Sequence, residues 1–230
     1  MRGRLERGLV VLLAAATLCT GCSDVQVSRP SDSDESSTPI RGGTLKVVGN
    51  SDVDHLATVS GYVTGSLWLT RTFARQLVTY PPATDFETAI SLEPDVAREL
   101  PTPENGGISA DGRTYTFHLQ DGVRWNSAPP RAVTAHDFAR AFKYFCNPVS
   151  PVGAPGYYTS TIVGMARYCA NFVKVPGTTA DIRRFMTTHE IEGVRVVDAS
   201  TLAFTLRAPG TDFLNLLAMP QDVHRQFGRI

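Results

Sequence analysis

Several features are missing from this 230-residue sequence, and each absence excludes a class of protein. Acidic and basic side chains balance at 22 each, so the chain lacks the excess positive charge that binding to nucleic acid phosphates requires. It contains no GxSxG nucleophile elbow, no GxxxxGKS/T phosphate loop and no HExxH zinc motif. Neighbouring carboxylates such as Asp52 and Asp54 are typical of a solvated loop. We therefore expect no enzyme, no cofactor, no metal and no nucleic acid partner.

A hydrophobic run long enough to cross a membrane is also missing. The apolar stretch Leu9–Leu18 has about half of the roughly 20 residues that a spanning helix needs. Three arginines, Arg2, Arg4 and Arg7, precede it. Positive charge followed by a short apolar stretch is typical of a secretory signal, which we assign to residues 1–21.

The sequence Leu18-Cys19-Thr20-Gly21-Cys22 resembles the lipobox of bacterial lipoproteins, although Cys19 stands where that motif usually has leucine. The resemblance implies that Cys22 carries lipid at the outer face of the bacterial cytoplasmic membrane; an unmodified thiol is the alternative. The following residues are rich in serine and poor in apolar side chains, so they cannot bury enough surface to fold. We expect residues 22–42 to form a lipid-anchored, disordered tether.

If the protein is exported, its remaining cysteines, Cys146 and Cys169, lie outside the reducing cytoplasm. Two thiols outside the cytoplasm most simply form a disulfide, here closing a loop of about 24 residues. A zinc site is the other interpretation, but no CxxC or HxxxH spacing accompanies this pair.

Hydrophobic patterns after the tether predict a mixture of short strands and helices. Alternation of Tyr115, Phe117 and Leu119 with polar residues predicts a strand over 113–119. Thr134 and Asp137 predict a capping box that opens a helix with one buried face. The remaining expectations are strands at 44–48 and 123–125, helices at 66–78, 165–172, 182–186 (capped by Asp181) and 212–217, a hairpin over 194–206, and irregular chain over 147–156. Without regular βαβ units, the fold class is α+β, a mixed α/β body.

Exposed aromatic side chains could contact a ligand, and the sequence offers four candidates. Trp68, Trp125 and the pair Tyr157-Tyr158 could line a cleft or could pack in the core. Both interpretations stay open from sequence alone.

The order of several segments resembles the extracellular solute-binding proteins, family 5, which include oligopeptide- and dipeptide-binding lipoproteins of ABC importers. The similar stretches are Gly42–Leu45, residues 72–80, residues 92–97, SADGRTYTFHLQDGVRW at 109–125 and residues 133–138. The resemblance implies a periplasmic-binding-protein-like fold of two lobes that close on a ligand. It also implies an oligopeptide or other small solute as ligand and an ABC permease in the membrane as partner.

The resemblance covers the first lobe, and we expect an apparently truncated form. Residues 43–220 correspond to the N-terminal portion of the solute-binding domain, and residues 221–230 form a divergent tail. Loops after strands commonly face a cleft, so Asn50, Ser51 and Asp52 are the candidate ligand contacts. The alternative function is a non-binding surface or scaffold lipoprotein, or a non-functional remnant. Ligand-dependent thermal stabilisation would distinguish the two.

Overall fold

The computed structural model describes residues 42–44, 46–49, 51–151 and 155–219, which divide into two units at Lys46. In the first unit, residues 42–44 and 46 are exposed and lie outside any helix or strand. At the start of the second unit, Val47 and Val48 are also exposed and unstructured. The strand expected at 44–48 is therefore wrong for the described residues, because no neighbouring strand there pairs with this segment.

Helices and two small sheets make up the described part of the second unit. Seven helices are seen: α1 Thr64–Phe73, α2 Phe86–Ala89, α3 Ala135–Tyr144, α4 Gly156–Thr161, α5 Met165–Phe172, α6 Thr179–Thr188 and α7 Phe213–Leu217. The five strands are β1 Val78–Thr79, β2 Glu93–Pro94, β3 Thr114–His118, β4 Val194–Asp198 and β5 Thr201–Thr205. This arrangement confirms the mixed α+β class.

The main sheet has three antiparallel strands in the order β3-β5-β4. The hairpin β4–β5 and the strand β3 confirm two predictions, and the side chains of Tyr115 and Phe117 are buried as their alternation requires. No strand forms at 123–125. Instead, Arg124 makes a single bridge with Ala132.

Helix α3 packs its apolar face on this sheet. Thr134 and Asp137 form the predicted capping box, and Phe138, Ala141 and Phe142 are buried. The Phe142 ring lies edge-on to Phe204 of β5, with 4.9 Å between ring centroids. Such aromatic pairs add to the stability that comes from burying apolar area.

A disulfide joins the end of this helix to α5. Cys146 and Cys169 are bonded, with Cα atoms 5.1 Å apart, as the sequence predicts. Both residues are buried. The bridge therefore belongs to the hydrophobic core.

Helix α1 is shorter than its sequence pattern predicts, because Asp95 binds the chain where the helix would continue. The Asp95 carboxylate accepts hydrogen bonds from the Arg75 side chain at 2.8 Å and from the backbone N–H of Gln76 at 2.7 Å. Leu77 and Val78 are consequently buried outside the helix, and Val78 begins β1. Leu77 therefore lies beyond the end of α1, although the sequence pattern predicts a helix over 66–78.

Two smaller differences concern helix starts. Helix α4 begins at Gly156, at the end of the segment expected to be irregular. Helix α6 is longer than predicted, and its N-cap is Thr178, whose hydroxyl accepts from the backbone N–H of Asp181 at 3.1 Å. Asp181 itself lies inside the first turn, where a negative charge is favoured.

Candidate functional site

The loop of residues 51–63, which precedes α1, is shaped by Asp54. Its carboxylate accepts hydrogen bonds from the Ser66 hydroxyl and from the backbone N–H groups of His55, at 2.8 Å, and Tyr62, at 3.2 Å. Desolvation alone would raise the pKa of Asp54, but these hydrogen bonds outweigh it and lower the pKa to about 2. Asp54 is therefore ionised at neutral pH and holds the loop closed. It has no proton to supply as an acid catalyst.

Two contacts join this loop to the segment around α4. The hydroxyls of Ser60 and Ser150 are 2.8 Å apart. Next to them, a hydrogen bond with the Tyr157 phenol raises the pKa of Tyr62. Tyr62 and Tyr157 are 41% and 46% exposed, so each of them is partly open to solvent. We call the exposed face of residues 51–63 and Tyr157 the tyrosine face.

Two of the sequence-predicted contact residues begin this face. Ser51 and Asp52 are both exposed. The Ser51 backbone runs close to α1, since a Cβ atom added at Gly65 would lie 3.3 Å from the Ser51 carbonyl oxygen. Asn50 and the predicted lipid anchor Cys22 lie outside the described residues.

The structure separates the aromatic candidates into core and surface residues. Trp125 and Tyr158 are buried and contribute to packing. Trp68, on α1, is 62% exposed, and Tyr157 belongs to the tyrosine face. The tandem tyrosines therefore have different roles, because adjacent helical positions point in different directions.

Tyr62 was missed by the sequence reasoning, and so was its pairing with Tyr157. These residues are 95 positions apart, and no local pattern links them. Their only signal was composition: each is a tyrosine beside glycine in a segment without a strong apolar period.

The tyrosine face offers hydrogen bonds and aromatic surface rather than reactive groups. Two phenols, the Ser51 hydroxyl and the Asp52 carboxylate can bind polar groups and a positive charge. Across residues 42–44, 46–49, 51–151 and 155–219, no cluster of three or more His, Cys, Asp or Glu could hold a metal ion. Over the same residues, none of the helices has the length and hydrophobicity to cross a membrane.

Comparison with known families gives a match over more than half of the chain. The model for bacterial extracellular solute-binding proteins, family 5 Middle, matches residues 91–227. This range contains the main sheet, the disulfide and helices α3 to α7.

Individual relatives are similar over parts of the same region. The chain is 29% identical over 143 residues to Di/tripeptide-binding protein 4 of Pseudomonas aeruginosa. The aligned region covers 60% of this chain and 23% of that protein. It is 31% identical over 121 residues to the Dipeptide-binding protein of Escherichia coli, covering 50% of this chain and 19% of the relative. The chain thus spans about a fifth of the length of these curated relatives.

A solved structure supports the fold. The structure of the protein named Clavulanic acid biosynthesis oligopeptide binding protein 2 superposes on this chain with a TM-score of 0.62, and the two sequences are 27% identical. The match covers 80% of this chain and 30% of that one. The described architecture is therefore part of a larger periplasmic-binding-protein-like fold, and corresponds to a partial lobe.

Proposed function

The chain belongs to the bacterial extracellular solute-binding proteins, family 5, and from this membership we propose that it serves solute capture for an ABC import system, with peptide as the solute. The observation that carries the proposal is the family match over residues 91–227. The relatives named above are di- or oligopeptide-binding proteins by their names. An ABC permease in the membrane is the corresponding partner.

We assign solute contact to the tyrosine face. Peptides offer backbone N–H and C=O groups and a charged amino terminus, which phenols and a carboxylate can bind. Tyr62 and Tyr157 supply the phenols, and Asp52 supplies an exposed carboxylate. Ser51 precedes Asp52 in the sequence, and Asn50, outside the described residues, is proposed as a further contact. The hydrogen bonds of Asp54 keep this loop in one shape before a ligand arrives, which reduces the entropy cost of binding.

The affinity of this face by itself should be low. Solute sites usually bury most of the ligand surface in a concave pocket, whereas Tyr62, Tyr157 and Asp52 stand on an open surface. A second lobe closing over the ligand, as in the two-lobed family, would exclude water and strengthen these hydrogen bonds. Weak peptide binding by this chain and tighter binding by a family-length protein are both part of the proposal.

We further propose export and lipid anchoring. Residues 1–21 would act as the secretory signal, Cys22 would be acylated, and residues 22–42 would hold the folded part clear of the membrane surface. Intact-mass measurement of protein from a bacterial membrane fraction tests this. A mass lacking residues 1–21 and increased by acyl groups supports the anchor, whereas an unmodified Cys22 contradicts it.

Peptide binding is tested by thermal unfolding of the full chain in detergent, titrated with a mixture of di- to pentapeptides. We expect a saturable rise in melting temperature, since ligand at 100 times Kd adds about 2.7 kcal/mol. The rise should be lost when Tyr62 and Tyr157 are both changed to alanine. The matched control is Tyr80→Ala, a partly buried tyrosine outside the tyrosine face. A rise that survives loss of both phenols would exclude this face, and no rise at all would contradict binding by these residues.

A further inference from the structure

Glycine directly follows asparagine or aspartate at Asn105-Gly106, Asp111-Gly112 and Asp121-Gly122. At such pairs the glycine backbone nitrogen can attack the preceding side-chain carbonyl carbon, because glycine has no side chain to block the approach. Asn105, Asp111 and Asp121 are all exposed to solvent. Exposure therefore does not distinguish the three pairs, and the restraint on each side chain has to decide which one reacts.

The Asn105 side chain is held by three hydrogen bonds. Its Oδ1 accepts from the backbone N–H groups of Thr102, at 2.8 Å, and Gly107, at 2.9 Å, and its Nδ2 donates to a backbone carbonyl at 2.9 Å. The attacking group is engaged as well, since the Gly106 N–H donates to the Pro103 carbonyl at 3.2 Å. Attack on the amide carbon would have to break these bonds first.

Asp111 is restrained in a similar way. Its Oδ1 accepts from the Ser109 hydroxyl at 2.6 Å and from the Arg113 backbone N–H at 3.2 Å. The Gly112 N–H donates to the Ser109 carbonyl at 2.8 Å. The hydrogen bonds from Ser109 and Arg113 also lower the pKa of Asp111. The protonated acid, which is the form open to attack, is therefore scarce at this position.

Asp121 is much less restrained. Its side chain is 96% exposed, and its carboxylate pairs with Arg98, whose Nη2 lies 3.8 Å from Oδ2. An ion pair this exposed holds a side chain only weakly. In the described part of the chain the Gly122 N–H donates no hydrogen bond, so the attacking nitrogen is not engaged either. Gly122 has a φ of +78°, and an added Cβ would meet nothing within 4 Å, so the turn is also uncrowded.

We propose that Asp121 is the residue at which the folded chain isomerises to isoaspartate, while folding protects Asn105 and Asp111. In an unfolded chain at neutral pH, asparagine before glycine reacts faster than aspartate, because nearly all aspartate is then the unreactive carboxylate. Folding thus reverses the chemical order of the sites. This proposal is independent of solute binding at the tyrosine face.

The reaction consumes no reagent other than water and involves no oxidation. The Gly122 nitrogen forms a bond to the Asp121 side-chain carboxyl carbon, and the carboxyl hydroxyl leaves with the amide proton as water. Water then opens the resulting five-membered succinimide at either carbonyl. Opening at the original backbone carbonyl leaves the main chain running through the side-chain carbon, which is isoaspartate. At Asn105 the same attack releases ammonia instead of water.

The product adds one methylene to the main chain between two anchored residues. The Gln120 N–H donates to the Val96 carbonyl at 2.8 Å, and the Val123 carbonyl accepts from the Val133 N–H at 2.9 Å. Because both ends of this exposed turn are held, we expect the sheet to keep its pairing after the reaction. Isoaspartate at Asp121 would then accumulate without unfolding and record how long the chain has been folded.

The test follows all three pairs in the same sample. The full chain in detergent and the chain unfolded in guanidinium chloride are kept at physiological temperature and neutral pH for several weeks. Peptide mass spectrometry with electron-based fragmentation then measures isoaspartate at each position. In the folded chain we expect Asp121 to react about tenfold faster than Asp111 or Asn105, because hydrogen bonds at the latter two must break before attack. In the unfolded chain Asn105 should react fastest, and the two aspartates should react at similar rates.

A variant tests the restraint on Asp111 directly. Ser109→Ala removes the hydroxyl that holds this side chain, so isomerisation at Asp111 should rise severalfold while the rate at Asp121 stays unchanged. Ser127→Ala is the matched control, because its hydroxyl donates to a backbone carbonyl and contacts neither aspartate; it should change neither rate. The comparison within the wild type needs no variant, so it stands even if Ser109→Ala does not fold.

Three results would overturn the proposal. The first is an equal rate at Asp111 and Asp121 in the folded chain. The second is a faster reaction at Asn105 than at Asp121 in the folded chain. The third is a difference between the two aspartates that persists in guanidinium chloride, because that difference would come from the neighbouring sequence and not from the fold.

Discussion

Arg131 and Asp137 are joined by two hydrogen bonds, from Nη2 to Oδ1 at 2.7 Å and from Nη1 to Oδ2 at 2.9 Å. The same Asp137 carboxylate accepts from the Trp125 indole N–H at 3.1 Å and from the Thr134 backbone N–H at 2.9 Å. The Arg131 guanidinium also lies over the Trp125 ring, 4.6 Å from its centroid. One carboxylate therefore connects the turn after β3 to the start of α3.

Replacing this carboxylate by an amide should destabilise the fold. Asp137→Asn removes the negative charge that pairs with Arg131 and weakens the cap of α3, so we expect a loss of about 2 kcal/mol in the free energy of unfolding. Urea denaturation measures it. Asp181→Asn is the matched control at the first turn of α6, where the partner guanidinium of Arg184 is 74% exposed; its cost should stay below about 1 kcal/mol. Equal losses in the two variants would contradict the role given to Asp137.

The stabilising effect of Asp54 should depend on pH in a defined direction. Its pKa is about 2 in the folded protein, against about 3.9 for an aspartate in an unfolded chain. Its contribution is thus fully present above about pH 4 and is lost as the pH falls towards 2. Urea midpoints of the wild type and of Asp54→Asn should differ at pH 6 and converge near pH 2. A difference that stays constant over this range would show that ionisation of Asp54 does not stabilise the loop.

Reduction of the Cys146–Cys169 disulfide should lower stability by about 3 kcal/mol. The two residues are separated by 23 positions, and opening a loop of this length restores conformational entropy to the unfolded chain. Urea denaturation with and without dithiothreitol gives the value. The double variant Cys146→Ser, Cys169→Ser serves as control, because its stability should be insensitive to dithiothreitol. An effect of the reductant on that variant would point to a cause other than the disulfide.

Two glycines should respond oppositely to alanine. At Gly193, an added Cβ would lie 2.6 Å from the Thr205 carbonyl oxygen and 2.7 Å from that of Val163, both backbone atoms. We expect Gly193→Ala to cost at least about 2 kcal/mol, since the β4–β5 hairpin must shift. At Gly156, the first residue of α4, the added Cβ meets nothing within 4 Å, so alanine should stabilise by about 0.5 kcal/mol. The melting temperature should fall for Gly193→Ala and rise for Gly156→Ala, relative to the wild type.

Local sequence patterns predicted the helices and strands whose formation depends on residues close together in the chain. The alternation around Phe117 and the capping pair Thr134 and Asp137 each lie within a few residues, and the corresponding strand and helix formed. The length of α1 could not be read in this way. Asp95, about 20 positions further along the chain, binds Arg75 and Gln76 and stops the helix.

The candidate site was predictable only in part, for the same reason. The sequence pointed to Ser51 and Asp52 from their place in a loop, and both are exposed. It could not pair Tyr62 with Tyr157, or Ser60 with Ser150, because those contacts depend on how distant segments pack. A groove lined by α3, α6 and β4 escaped prediction as well, since only the tertiary fold brings these two helices and this strand together.

The order of the main sheet has a consequence for how the chain matures during synthesis. The central strand β5 is the last of the three to be made, and β3 pairs with it across 83 to 91 positions, from His118 with Thr201 to Thr114 with Thr205. A chain emerging from the ribosome with only β3 and β4 complete lacks the strand that lies between them in the sheet. Until residue 205 emerges, the buried face of β3, with Tyr115 and Phe117, stays open to aggregation or to a chaperone. The synthesis of β5, near the end of the described residues, thus ends the interval in which the nascent chain exposes this apolar face.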